Sequence, residues 1–146
     1  MYKDILLAVD REQESSWRLS LPVALAHCRA FGARLHVLNV VHALGVGDVA
    51  SFLPMGFEQK VLDKARQSLG ELVKDNVPSD VQVQRIVGSG KVHAEILRVA
   101  REIRADLIIL ASHHPELSDY LLGSNAAHVA RHADCSVLIV RGGRGS

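Results

Sequence analysis

The sequence is poor in aromatic residues and in cysteine. Phe, Trp and Tyr together make up 4% of the 146 residues, and the two cysteines are Cys28 and Cys135. Both lie in apolar segments, which predicts buried thiols and excludes a disulfide framework. Because 48% of the residues are hydrophobic, the core must be built mainly from Leu, Val, Ile and Ala.

The sequence also lacks an excess of charge of either sign and any very long apolar run. Its formal net charge is +1, from 17 basic and 16 acidic residues. This balance argues against a general nucleic-acid binder, so no direct nucleic-acid binding is expected. No apolar run reaches the length of a membrane span, and the opening MYKDILLAVD has no signal-peptide core. We therefore expect no membrane partner and a cytoplasmic location.

Short apolar runs alternate with stretches of helical periodicity. Five strands are predicted, over residues 5–9, 35–41, 81–87, 106–112 and 136–140. The first and fourth are strongly apolar, which is typical of central parallel strands buried on both faces. The third opens as VQVQ, and this alternation favours a strand near an edge of the sheet.

Helical spacing fills the intervals between the predicted strands. The apolar residues of the first predicted helix run from Trp17 to Cys28, and Gly32 ends this helix. Pro22 lies inside the pattern and predicts a kink or marks the first turn. Residues 42–56 are predicted to form an irregular loop, and residues 88–90, Gly-Ser-Gly, the turn after the third strand. Strand–helix alternation of this kind predicts one α/β domain over residues 1–146, with a parallel sheet and helices on both faces.

Open parallel sheets bind ligands at the carboxyl ends of their strands, where the winding direction reverses. With the first strand at the centre, three segments meet there: Ala8-Val9-Asp10, Leu110-Ala111-Ser112 and Gly123-Ser124-Asn125. The third opens a helix, whose free N–H groups favour a phosphate. Taken alone, Gly-Ser-Asn is more often an ordinary cap, but its place after a polar loop that follows a central strand favours the phosphate site. Asp10 is suited to an adenine amine or a ribose hydroxyl, or to capping the following turn.

The C-terminal stretch DLIILASHHPELSDYLLGSNAAHVARHADCSVLIVR resembles the closing segment of universal stress proteins. In that family an apolar strand, a glycine-rich loop, a Leu-Leu-Gly-Ser step, a helix and a last apolar strand follow one another. ILLAVD and LHVLNVV resemble its first two strands, and LLGSNAA and RHA are most similar to its bacterial F and G members. The resemblance covers nearly the whole chain and is weakest in the loop 42–56.

The resemblance implies a Rossmann-like open five-stranded sheet in the order 3-2-1-4-5, a homodimer paired through Ser136 to Val140, and ATP as ligand, with or without Mg²⁺. Nucleotide-binding members carry Gly, two residues, Gly, nine residues and Gly-Ser. Here Ala111 and His114 replace the two glycines, and eight residues separate His114 from Gly123. The residues that the resemblance assigns to ATP are Ala8, Asp10, Val40, Leu110, Ala111, His114, Gly123, Ser124 and Asn125.

Three functions remain open at this point. The favoured one is an ATP-binding regulator of the stress response with little or no hydrolysis, for which no catalytic residue is assigned. The alternatives are a weak ATPase or autokinase, with His114 as the local base, and a dimeric interaction module that has lost nucleotide binding. His128 and His132 have the spacing of a HExxH site but lack its glutamate, so they are interpreted as surface or partly packed residues and no metal site is predicted.

Overall fold

The computed structural model describes residues 1–11, 13–41, 56–112 and 122–142. Five parallel strands form one sheet in the order 3-2-1-4-5, which confirms the predicted fold. The strands are β1 (Asp4–Val9), β2 (Arg34–Val41), β3 (Val83–Ser89), β4 (Leu107–Ala111) and β5 (Ser136–Val140). The helices are α1 (Ser20–Phe31), α2 (Phe57–Asn76), α3 (Val92–Glu102) and α4 (Ser124–His132), and a short 3-10 turn covers Glu14–Ser16.

Helices cover both faces of the sheet and create two separate cores. On one face, alternate residues of the central strands pack against α1 and α2, with Leu21 and Leu69 fully or almost fully buried. On the other face, Leu6 and Ile108 pack against α3 and α4. Burial on both sides explains why β1 and β4 have apolar sequences without alternation.

Pro22 and Gly32 are suited to their positions at the two ends of α1. Pro22 is the third residue of α1, so it occupies the first turn, where its missing N–H is tolerated. Gly32 ends the helix with φ 66°, in the left-handed region, and the N–H of Ala33 then donates to the Cys28 carbonyl over 3.0 Å. A residue with a Cβ atom is strained in this conformation, which accounts for glycine here.

The prediction for the third strand was wrong by two residues. The strand covers Val83–Ser89, so Gly88 and Ser89 pair with Val40 and Val41 of β2 instead of forming a turn. β3 starts late because the turn after α2 extends through residues 79–81. It ends late because β2 continues to Val41 and offers hydrogen bonds up to that point.

The prediction of two buried thiols holds in full for one cysteine. Cys28 is buried, and burial raises the pKa of its thiol to about 11. Cys135 is half-buried, because it lies just before the edge strand β5. Neither thiol forms a disulfide bond.

Candidate functional site

The winding of the sheet reverses between β1 and β4. These strands are neighbours at the centre of the sheet, while the helix that follows β1 and the helix that follows β4 lie on opposite faces. The chain therefore leaves the carboxyl ends of β1 and β4 in opposite directions and opens a crevice between them. The site anticipated from the sequence lies at this edge.

A cavity of about 720 Å³ occupies the crevice, a volume within the range of about 300–1,000 Å³ that is usual for ligand sites. Six of the predicted residues line it: Ala8, Asp10, Val40, Leu110, Ala111 and Asn125. Gly123 and Ser124 open α4 beside Asn125 but do not themselves line the cavity. His114 lies outside the described residues, as does nearly all of the loop predicted over residues 42–56.

The start of α4 is attached to the end of β4 by backbone hydrogen bonds. The N–H of Gly123 donates to the carbonyl of Ser112 over 3.1 Å, and the N–H of Ser112 donates to the carbonyl of Val140 over 3.0 Å. Gly123 precedes the helix and has no side chain to accept a hydrogen bond from its first N–H groups. Among the described residues, no side chain caps the first turn of α4, which presents backbone N–H groups and the positive end of the helix dipole.

Asn125 connects this helix start with α3. Its Oδ1 accepts a hydrogen bond of 3.1 Å from the backbone N–H of His93, the second residue of α3. Since an amide side chain also carries two N–H donors, and Asn125 lines the cavity, its Nδ2 is the group that a ligand can use. Asn125 therefore positions two helix N-termini at the crevice.

Asp10 directly follows β1 and lies in a tight turn. Its backbone N–H donates to Ser16 Oγ over 2.7 Å, and its carbonyl accepts from the Ser16 hydroxyl over 2.9 Å and from the N–H of Gln13 over 2.9 Å. These hydrogen bonds involve the backbone of Asp10, so they do not decide between the two interpretations of its carboxylate. The exposed carboxylate lines the cavity, where it can accept a hydrogen bond.

Several polar lining residues were not predicted from the sequence. The Arg11 guanidinium donates through Nε to Ser68 Oγ over 2.9 Å, and its carbon Cζ lies 5.9 Å from the Trp17 ring centroid. Asn39 is 7% exposed and lines the cavity, as does Lys64 of α2. Asn39 could have been found from the sequence, because it is a polar residue inside the apolar run LHVLNVV. Lys64 and Ser68 could not, because their place at the cavity depends on how α2 is rotated on the sheet.

The described residues offer no arrangement suited to a metal ion. No group of three or more His, Cys, Asp or Glu side chains is placed to hold one within residues 1–11, 13–41, 56–112 and 122–142. His128 and His132 are exposed, as interpreted from the sequence. In the same part of the chain, no helix is both long and apolar enough to cross a membrane.

Comparison with known proteins identifies the family. Residues 1–141 match the universal stress protein family. Universal stress protein G of Escherichia coli O157:H7 is 31% identical over 147 aligned residues, which cover 97% of this chain and 100% of that protein. The solved structure of hypothetical protein MJ0577 has a TM-score of 0.75 and 26% identity, and the alignment covers 99% of each chain.

Two further solved structures contain adenine nucleotides. One is a universal stress protein in complex with cAMP, with a TM-score of 0.67, 20% identity and coverage of 96% of this chain and 97% of that one. The other is a universal stress protein from Archaeoglobus fulgidus in complex with dAMP, with a TM-score of 0.60, 19% identity and coverage of 96% and 98%. These TM-scores show a shared fold. The family follows from the match over residues 1–141 and from the relative that is 31% identical: the chain belongs to the universal stress protein family.

Proposed function

We propose that this universal stress protein binds ATP in the crevice between β1 and β4 and acts as a nucleotide-dependent regulator with little or no hydrolysis. The observation that carries the proposal is the cavity itself, which lies at the reversal of the sheet and is lined by six of the residues that the resemblance assigns to ATP. Similar proteins with the same fold are in complex with cAMP and dAMP, which supports an adenine nucleotide as ligand.

The chemistry of the cavity favours one orientation of the nucleotide. Asp10, Ala8 and Val40 line the part formed by β1 and β2, where the carboxylate suits adenosine hydrogen-bond donors. Ala111 lies at the end of β4, where the ribose is proposed. The phosphates are directed to the start of α4, because its N–H donors and the Asn125 amide carry partial positive charge. Mg²⁺ would be held mainly by phosphate oxygens and water, as is usual for this ion.

The described lining residues give little support for rapid hydrolysis. Activation of a water molecule requires a general base near the terminal phosphate. Asp10 is the one carboxylate among the described lining residues, none of which is a histidine, and the proposed orientation places Asp10 at the adenosine. His114 stays the candidate base of the alternative ATPase function.

We also propose that two copies of the chain associate through β5. This strand is at one edge of the sheet, and after Ser136 it reads VLIV, each residue half-buried. An apolar edge strand favours pairing with another strand, and a second copy provides an identical one around a two-fold axis.

Nucleotide binding is tested by two substitutions of Gly123. Gly123→Asp introduces a carboxylate at the proposed phosphate site, so repulsion should lower ATP affinity at least about tenfold, equivalent to roughly 1.4 kcal/mol. Gly123→Ala is the matched control: φ is −59°, and among the described residues an added Cβ would come within 4 Å of the Ser112 carbonyl oxygen alone, at 3.5 Å. Mass spectrometry of released small molecules and titration calorimetry with ATP, ADP and cAMP provide the measurement.

Nucleotide in the wild type and in Gly123→Ala, with little in Gly123→Asp, is the expected result. A wild-type protein that purifies empty and binds none of the three nucleotides would overturn the proposal and favour the interaction module. Equal binding by all three variants would place the nucleotide elsewhere.

A further inference from the structure

Three histidines form a column of rings across the junction of α3 and α4. His93 lies in the first turn of α3, and His128 and His132 are one turn apart on α4. The ring centroids of His93 and His128 are 3.9 Å apart, with the planes inclined by 29°, and those of His128 and His132 are 4.6 Å apart. The two helices are therefore joined here by imidazole faces.

This geometry differs from that of a metal site. Metal coordination requires ring nitrogens directed at one point, whereas stacked rings present their faces to each other. A stack of imidazoles is stable while the rings are neutral, because protonation places like charges a few ångströms apart. Sensitivity to protonation is therefore the property that distinguishes this stack from a metal site.

The surroundings of His128 oppose its protonation. Partial desolvation lowers the pKa of His128, and His93, His132 and Arg131 lower it further by their positive charge. Within the described residues, each charged group that acts on His128 is thus a base.

The acidic residues of α3, and the described one that follows α4, form ion pairs with arginines. Glu95 and Glu102 of α3 both pair with Arg98, over 2.6 Å in each case. Asp134, after α4, pairs with Arg101 over 3.2 Å. A proton taken up by the stack would therefore gain no carboxylate among these groups to compensate its charge.

One nitrogen of the stack is buried without a hydrogen-bond partner among the described residues. It is Nδ1 of His93. An N–H on this nitrogen would be a buried donor lacking an acceptor, and a positive charge there would add the penalty of desolvation. Movement of the ring into water would remove this penalty, and it would loosen the contact between α3 and α4.

Movement at this junction would reach the nucleotide crevice. The backbone N–H of His93 is the donor to Asn125 Oδ1, and Asn125 lines the cavity. The residue that presents its ring to His128 thus also holds Asn125 in place through its backbone.

We propose that His93, His128 and His132 form a proton-sensitive joint between α3 and α4, closed while the rings are neutral and loosened when they take up protons. Because the pKa of His128 is lower in the folded chain, the unfolded state takes up its proton first. The stability of the joint is therefore complete above the ordinary histidine value of about 6.5 and falls as the pH decreases below it.

Hydrogen exchange of the nucleotide-free protein tests the joint independently of ligand binding. Between about pH 7.5 and about pH 5.5, we expect amide protection of α3 and α4 to fall relative to β1 in the wild type, after correction for intrinsic exchange rates. His128→Gln retains a polar side chain but cannot take up the proton, so it should lose this relative fall. His27→Gln is the matched control, since His27 lies on α1 and its Nδ1 contacts the Val23 carbonyl oxygen over 2.8 Å.

An equal fall in protection in the wild type and in His128→Gln would overturn the proposal. If His128→Gln does not fold, titration of the wild-type imidazole resonances by NMR decides: a midpoint for His128 at or above the ordinary histidine value contradicts the joint, and a midpoint below it supports it. Neither measurement involves nucleotide, so a protein that binds no ATP leaves both results valid.

Discussion

At the scale of single residues, Gly88 shows how closely α3 approaches the sheet. A Cβ atom at this position would lie 2.7 Å from Glu95 Oε2 and 3.5 Å from Leu38 Cδ1. Glu95 cannot turn away without cost, because its carboxylate holds the Arg98 guanidinium through Nε and Nη2. Gly88 therefore leaves room for the Glu95 carboxylate beside β3, whereas the sequence alone suggested a turn.

Replacement of Gly88 by alanine should destabilise the protein by displacing Glu95. Overpacking of a filled site costs about 1–3 kcal/mol, and we expect a loss near the lower end because the displaced group is the end of a side chain. Urea unfolding measures the change. In a Glu95→Ala background the collision is absent, so the same substitution should have little effect; an equal loss in both backgrounds would show that Glu95 is not the obstacle.

At the scale of secondary-structure elements, a polar network ties three strands together near their amino ends. His36 of β2 is 7% exposed, donates through Nε2 to Asp4 Oδ1 over 2.9 Å, and has Nδ1 2.6 Å from Gln84 Oε1. The Arg34 side chain adds an ion pair of 3.0 Å to the Asp4 carboxylate. Buried polar groups of this kind fix the register of β1, β2 and β3, because a shifted strand would leave them without partners.

The network predicts a pH dependence through Asp4. Burial by itself would raise the pKa of Asp4, but hydrogen bonds and charge from His36 and Arg34 outweigh it and hold that pKa below its ordinary value. The stabilisation is therefore present above the unfolded pKa of about 3.9 and is lost as the pH falls through the lower, folded value. Asp4→Asn should lower the free energy of unfolding by about 1–2 kcal/mol at neutral pH, and by less in acid.

Denaturant unfolding of the wild type and Asp4→Asn at about pH 7 and about pH 3 measures this difference. Asp63→Asn is the control, because Asp63 forms an exposed pair with Arg66 that contributes roughly 0–1 kcal/mol. A deficit in Asp4→Asn that is the same at both pH values would contradict the assignment.

The sequence predicts the positions of the strands and helices better than it predicts which of their side chains contact one another. Apolar runs identify β1 and β4 as central because burial on both faces leaves no polar alternation. Asp10 and Asn125 were found because strand ends and helix starts are visible in the sequence. Ser68 was not found: its place beside Arg11 depends on the packing of α2 on the sheet, which no local pattern specifies. The extension of β3 through Gly88 likewise depends on the length of its partner strand β2.

At the scale of the whole molecule, the two edges of the sheet differ in chemistry. β3 carries Gln84 and Arg85, both exposed, and a charged side chain on an edge strand discourages further pairing. β5 carries no charged residue, and its side chains contribute to both cores only in part. The asymmetry supports β5 as the edge through which a second copy associates.

A charge on β5 should therefore separate the proposed dimer. Ile139→Lys places an ammonium group in the middle of the apolar strand, where pairing of two copies would bury it without a partner. Light scattering coupled to size-exclusion chromatography should report a dimer for the wild type and a monomer for this variant. Leu19→Lys adds the same charge at an exposed position away from β5 and should remain dimeric.

Circular dichroism is used to check that Ile139→Lys is folded. A monomeric wild type, or a folded Ile139→Lys that stays dimeric, would contradict pairing through β5, because a two-fold contact repeats the unfavourable charge on both sides of the axis.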